Sequence, residues 1–275
     1  MPKVLAIVAL AWLSAARVAA ADGDPPAQPP AQPEVGRLIT APTAWLPRAG
    51  VVVGSAALDL TAVTRDSRFD ADLLLSFGLG TIAAVDVGLD KDVRECGACD
   101  GRPAPLWMAR VAFRMGAPQD ALFPGMPAVA FGVRTTVAAA GDTERARAAT
   151  AFLVASRVIG PIKLHAGAAA DDASIGRAYE MGRVVHPFAG FEWTPAQYPK
   201  TTLMADFMYA PLFAGDAART EWIAGWGVRY QALAWGTIDL AVRHRQDESA
   251  SDSTVLVRVT GTFNAPSPSP SPSRR

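Results

Sequence analysis

The chain has 275 residues, half of them hydrophobic, with 26 basic and 26 acidic side chains and a formal net charge of zero. Nucleic-acid binding would need a basic surface, so that class is set aside. Beyond residues 1–21 no apolar run approaches the ~20 residues of a transmembrane helix, so a chain this apolar can span a membrane only as a β-barrel, whose backbone groups pair within the sheet.

Residues 1–21 carry Lys3, an apolar stretch from Val4 to Ala16, and Ala19-Ala20-Ala21 before Asp22. This is the pattern of a cleavable secretory signal peptide, so the mature chain is expected to be exported. Residues 22–35 are a Pro-rich linker of extended, polyproline-like character, and residues 264–275 form a Pro/Ser tail of the same kind. Residues 36–49 are expected to be a periplasmic lead-in segment, followed by a barrel over 50–263. The Pro-rich ends are placed to reach periplasmic partners or the cell wall.

Period-two alternation between turn signals predicts about twelve strands, the first six at 50–63, 71–77, 81–90, 106–116, 128–139 and 149–158. The other six fall at 162–170, 184–193, 201–210, 221–231, 236–245 and 253–263. Most match the ~9 to 11 residues of a tilted membrane strand. Connections alternate in kind: Gly78-Leu79-Gly80, Ile159-Gly160-Pro161 and 232–235 are short and uncharged, whereas 64–70, 92–105, 141–148, 171–182 and 246–252 are charged. Short periplasmic turns alternating with longer extracellular loops predict an all-β, transmembrane, antiparallel up-and-down barrel with both termini on the periplasmic side. The turn at 117–127 is longer than that pattern expects. A soluble β-sandwich is the competing fold.

Each strand has an apolar face for lipid and a polar face for the lumen: Trp222, Ala224, Trp226, Val228 and Tyr230 lie opposite Ile223, Gly225, Gly227 and Arg229. Given the up-down order, Trp107, Phe152, Tyr209 and Trp222 fall at the outer ends of strands. Phe77, Phe113, Trp193, Tyr230 and Phe263 fall at the inner ends, giving two aromatic girdles. The last strand, TVLVRVTGTF at 254–263, alternates and closes on Phe263. On that strand the chain resembles the general family of Gram-negative outer-membrane barrels, although it continues into Asn264 and the tail. The resemblance implies contact with outer-membrane lipid and recognition of the last strand by the barrel-assembly machinery.

Lumen-facing charges are the candidate site. Asp72, Asp86, Arg110, Arg114, Arg134 and Arg157 are the constriction candidates, and Lys163, Asp206, Arg229 and Asp239 extend the polar lining. If both short turns hold three residues, Asp72 faces Asp86 and Arg157 faces Lys163, so acidic and basic walls occupy different arcs. Two readings stay open: a transverse field across a narrow passive pore for small polar solutes, or a salt-bridged, non-conducting structural or envelope-assembly barrel.

Cys96 and Cys99 (C-G-A-C) are expected to form a disulfide staple in an outer loop, given the oxidising compartment. Asp100 stands where a c-type haem site needs histidine, and zinc would need two more ligands, so no cofactor or metal is expected. An acyl-hydrolase would need serine, histidine and an orienting group. His244 lies near Ser249, and His165 and His186 point to the lumen, but no lipase spacing is present, and the expectation is a barrel that is not an enzyme.

Overall fold

The computed structural model describes residues 36–61, 68–80, 82–96, 104–140, 144–176, 179–214, 217–246 and 248–264. The signal peptide, the Pro-rich linker, Cys99 and the tail from residue 265 lie outside the described residues. The twelve expected strands are all present as a closed antiparallel barrel. They are β1 (Val51–Thr61), β2 (Arg68–Leu79), β3 (Ala83–Asp90), β4 (Met108–Ala117), β5 (Ala128–Ala140) and β6 (Glu144–Ile159). The second half comprises β7 (Ile162–Ile175), β8 (Val184–Trp193), β9 (Thr201–Ala214), β10 (Ala217–Leu233), β11 (Gly236–Arg245) and β12 (Thr254–Asn264). Closure runs from Val51↔Asn264 to Thr61↔Thr254, so β12 pairs back on β1.

Five strands extend further toward the loop end than the alternation suggests. β2 begins at Arg68, β6 begins at Glu144, β7 reaches Ile175, β9 reaches Ala214 and β10 begins at Ala217. In all but β9 the added residues include charges that mimic a loop in sequence, yet the ladder continues through them, as in Ala140↔Glu144.

Two registers differ from the three-residue turns the sequence suggests. β6 and β7 meet at Ile159↔Ile162 around Gly160 and Pro161, with Gly160 at φ +57, which a two-residue hairpin turn requires. Val158 therefore faces Lys163, and Arg157 faces Leu164, not Lys163. Between β2 and β3, Ser76 faces Asp86, so Asp72 and Asp86 are not opposed.

Side-chain exposure is inside-out relative to a soluble protein. On β4, Val111, Phe113 and Met115 are exposed while Ala112 and Arg114 are buried. On β12, Val259 and Phe263 are exposed at 55% each, whereas Arg258 is 0% exposed. Arginine buried and valine exposed along one strand is the signature of a barrel whose outer face meets lipid.

The lumen is occupied. Leu38, Ile39, Ala41, Thr43 and Ala44 are buried, and their backbone bonds reach β6, β9 and β12. A segment that contacts strands so far apart around the wall lies inside the barrel, so residues 36–47 form a plug and not the periplasmic lead-in that the sequence suggests. Their apolar side chains complete a core with Phe152, Phe188, Met208 and Ile223. Phe152, an outer-end aromatic by the sequence pattern, turns inward here, because the true register of β6 sends Val154 and Ser156 inward with it.

One stretch of wall is open. β8 and β9 pair from Ala189↔Phe207 to Trp193↔Leu203. Among the described residues no ladder pair joins Val184–Phe188 to Met208–Leu212. Pro187 and Pro211 lie in these facing stretches, and proline offers no N–H to a ladder. At the loop end β9 instead takes a parallel partner, the short strand Arg94–Cys96, through Leu212↔Arg94 to Ala214↔Cys96.

The inside-out pattern gives a discriminating test. Leu240 is outward and 57% exposed. Leu240→Arg should destabilise the vesicle-embedded barrel by about 2–4 kcal/mol, against ~0.5 kcal/mol or less for an exposed site in water, read from urea unfolding followed by tryptophan fluorescence.

Candidate functional site: the plugged lumen

A belt of buried polar groups crosses six strands near the turn end. Arg258 on β12 donates to Asp239 Oδ2 on β11 at 2.6 and 2.9 Å. Arg229 on β10 donates to Asp239 at 2.9 and 3.2 Å and reaches Glu192 Oε2 on β8 at 3.3 Å. Glu192 Oε1 lies 3.4 Å from His165 Nε2 on β7, and His165 Nδ1 lies 2.8 Å from Ser156 Oγ on β6. Lys163 Nζ sits 3.7 Å from Glu192 as a partly exposed member. Carboxylates and cations alternate from strand to strand, so the separate acidic and basic walls of the sequence reading do not exist.

The plug docks on this belt. Arg258 donates to the Leu38 carbonyl and, at 3.3 Å, to the Ile39 carbonyl. Ala44 N–H donates to Ser156 Oγ at 2.9 Å. On β9, Asp206 Oδ2 accepts from the amides of Thr40 and Ala41 at 2.6 and 2.8 Å. Across the lumen Arg37 pairs with Asp72 at 2.9 Å, and Arg114, paired with Asp86 at 2.8 Å, donates to the Trp45 carbonyl at 3.1 Å. Gly190 and Gly225 let the plug lie against the wall, because a Cβ on either would run into Leu38 or Ile39.

A second obstruction sits at the loop end. Lys91, Asp92, Val93 and Arg94 are buried in the mouth of the barrel. Lys91 reaches Asp59 at 3.1 Å, Arg243 pairs with Asp59 and with Asp92 at 3.3 Å, and Arg94 pairs with Glu221 and with Glu248 at 2.6 Å. Burial pulls the Lys91 ammonium below the ordinary lysine range, with Asp72, Asp70 and Asp92 acting the other way. Val93 packs with Met108, Ile175 and Phe213. Charged loop residues are solvated by default, so this cap has no local signal in the sequence.

The candidate residues thus separate by position. Asp72, Asp86, Arg114, Asp206, Arg229 and Asp239 hold the plug or the belt, whereas Arg110 and Arg134 line the space left over. Arg134 donates to Thr150 Oγ1 at 3.1 Å. Arg157 is corrected: it shares the outward face with the exposed Leu153, and its guanidinium lies near Gly125 of the long turn, so it lines no constriction. Arg37, Trp45, Ser156 and Arg258 complete the site. Of these, the plug residues were legible only as apolar residues placed oddly in a supposed periplasmic lead-in.

Trp107, Trp193, Tyr230 and Phe263 are outward and 41–55% exposed, while Tyr209 and Trp222 are outward and half-buried. Cys96 closes the short strand Arg94–Cys96. Among the described residues no three His, Cys, Asp or Glu side chains gather as a metal site.

Serine, imidazole and carboxylate do meet, in Ser156, His165 and Glu192. Ser156 is 1% exposed and its oxygen is covered by the Ala44 amide, so the group anchors the plug and presents no open nucleophile. On the outward face His244 Nδ1 lies 3.0 Å from Ser253 Oγ, not Ser249, which bonds Asp252. Ser253 Oγ donates to the Ala250 carbonyl, so its proton is directed away from the imidazole.

The closed antiparallel sheet, its inside-out exposure and its charged lumen define a membrane-spanning barrel of the outer-membrane type. No family model and no curated protein matches the sequence. Solved structures to which this chain is similar include an outer membrane channel from Pseudomonas putida F1, with 8% identity, 79% of this chain and 97% of that one covered, and a TM-score of 0.46. Outer membrane phospholipase A from Escherichia coli covers 79% of this chain and 92% of its own at 13% identity, with a TM-score of 0.42. The translocator domain of the autotransporter NalP from Neisseria meningitidis covers 78% and 87% at 12% identity, with a TM-score of 0.37.

Removing one charged acceptor should loosen the plug locally. Asp206→Ala deletes bonds to Thr40 and Ala41. At about 1.5–3 kcal/mol for bonds to a charged group, amide exchange across residues 36–45 should rise roughly ten- to a hundredfold, with the β-strand amides unchanged.

Proposed function

We propose that this chain is an outer-membrane barrel closed along its axis in the resting state, and not a standing passive pore. The observation that carries this is the plug: residues 36–47 cross the lumen and are held by side chains from β2, β4, β6, β9 and β12. The cap at Lys91–Arg94 supports the same reading from the other end. The lumen charges neutralise one another across adjacent strands, which leaves no transverse field for selecting solutes. The alternation ending at Phe263 further supports, as part of this proposal, delivery by the barrel-assembly machinery and residence in outer-membrane lipid.

A conducting role would require the plug and the cap to leave together. Planar-bilayer recording of the purified full chain separates the readings. The expected trace shows no discrete openings, while a chain carrying Asp206→Ala, Arg258→Ala and Arg94→Ala shows stepwise conductance. Regular openings from the unaltered chain at low voltage would sink the closed-barrel reading.

A further inference from the structure

The turn joining β4 to β5 is longer than two antiparallel strands need, yet it is firmly built. Asp120 N–H donates to the Met126 carbonyl at 3.0 Å, Asp120 Oδ1 accepts from the Gly125 amide at 2.6 Å, and Met126 N–H donates to the Phe123 carbonyl at 3.2 Å. Asp120 adopts a φ of 61 and Gly125 one of 87 within this arrangement. Gln119 Oε1 ties the turn sideways to the wall by accepting from the Val158 amide of β6 at 2.8 Å. All of these contacts are polar. The two large apolar side chains at the tip, Leu122 and Phe123, add nothing to the buried core and stand 79% and 59% exposed.

An ordered turn that holds leucine and phenylalanine out of the protein needs something apolar to receive them. Its surroundings say what. On β4, β5 and β6, Met115, Phe131 and Leu153 lie in one row of the ladder, outward and exposed, as part of the lipid-facing wall. Arg157 lies on the same outward face of β6, nearer the turn end, and a Cβ on Gly125 would come within 3.6 Å of its guanidinium. The turn therefore leans over the lipid side of the wall and not across the mouth of the lumen. Arg157 pairs with Leu164, whose partner on β8 is Phe191, and the next outward row holds Ile162 and the girdle residue Trp193. Arg157 thus sits beside the girdle, where aromatic belts meet lipid headgroups. Among the described residues no carboxylate or carbonyl engages its guanidinium. The turn's own acid, Asp120, is taken up by Gly125 and, at 3.3 Å, by Gln119 Nε2. An arginine on a lipid-facing surface is tolerable where its head reaches the headgroup layer, and a guanidinium with free donors matches a phosphate in shape and charge.

We propose that this turn is a lipid anchor: Leu122 and Phe123 enter the acyl layer of the leaflet at the turn end, and Arg157 binds the phosphate of a phospholipid in that leaflet. The occupant is lipid and not another protein, because the apolar tip and the free guanidinium continue a wall that already meets lipid. The length of the turn then has a use, since a two-residue hairpin turn could not carry an apolar tip out over the wall. The proposal rests on the barrel's residence in lipid, and the two fail separately, because a position on the far wall reports on that residence alone.

The test uses the full chain carrying Cys96→Ser and Cys99→Ser, reconstituted in phosphatidylcholine vesicles with no other protein present. A nitroxide is placed at Leu122→Cys, at Phe123→Cys or, for the wall, at Leu240→Cys, and its collisions with oxygen and with a water-soluble nickel chelate are read by electron paramagnetic resonance. Oxygen collisions should exceed nickel collisions severalfold at every position. Water-like accessibility at Leu122 and Phe123 beside a lipid-like reading at Leu240 would overturn the anchor alone and leave those side chains to a protein partner. A water-like reading at Leu240 would overturn the residence in lipid with it. Arg157→Gln should raise nickel accessibility at the Leu122 site severalfold in phosphatidylcholine, and Arg157→Lys should keep most of the native reading. In vesicles of digalactosyldiacylglycerol, which carries no phosphate, Arg157→Gln should change nothing. An equal change in both lipids, or none in phosphatidylcholine, would overturn the phosphate contact.

Discussion

Everything inside this barrel answers to one constraint: charge turned away from lipid has to be neutralised where water is scarce. Outward faces must be apolar, so period-two strands send their polar residues inward. Once there, Asp239 and Arg258 are fully buried, as is nearly all of Glu192 and Arg229. An isolated ion in such a place costs several kcal/mol, and an ion pair is tolerable only when its remaining hydrogen-bonding capacity is used. The belt from Arg258 to Ser156 meets most of that demand, and the plug meets more, offering the carbonyls of Leu38, Ile39 and Trp45 to arginines and the amides of Thr40, Ala41 and Ala44 to oxygens. Plug and belt are therefore conditions of each other. The plug's own backbone would lie unsatisfied without the belt, and the belt's arginines would be under-coordinated without the plug.

The architecture was legible because a membrane imposes the same rule on every strand. Trp222 to Tyr230 and Val255 to Phe263 alternate cleanly, and the structure keeps those faces. The errors came from what alternation leaves undetermined. A turn of two residues where three were expected re-pairs Arg157 with Leu164, and an inward Phe152 reads like an outward one when its neighbours Leu153 and Val154 are both apolar. The plug was illegible for another reason: its partners are distant in sequence, with Asp206 and Arg258 more than 160 residues away. Only its composition, with Leu38, Ile39 and Trp45 in a stretch read as a periplasmic lead-in, pointed inward.

The prolines of β8 and β9 show how a local defect is used at two levels. Pro187 and Pro211 were visible in the sequence, inside strands whose alternation is otherwise sound. They leave a length of β9 without its neighbour, and an unpaired edge invites adventitious pairing. Toward the loop end that edge is taken by Arg94–Cys96, which also brings Arg94 to Glu221 and seats the cap. Lower down the His186 and Tyr209 rings stack across it. One interruption thus positions the cap and, below it, replaces ladder bonds with stacked side chains.

Arg258 has a further consequence for how the chain is assembled. On β12 it faces Ala57 of β1, so it stands at the join where the first and last strands zip the cylinder shut, and its guanidinium grips the main chain at Leu38 and Ile39. The plug immediately precedes β1, so the join of the first and last strands and the grip on the plug share one arginine, through contacts 219 and 220 residues apart. Contacts of such long sequence separation form slowly, and here closure of the cylinder and seating of the plug are linked at this one side chain.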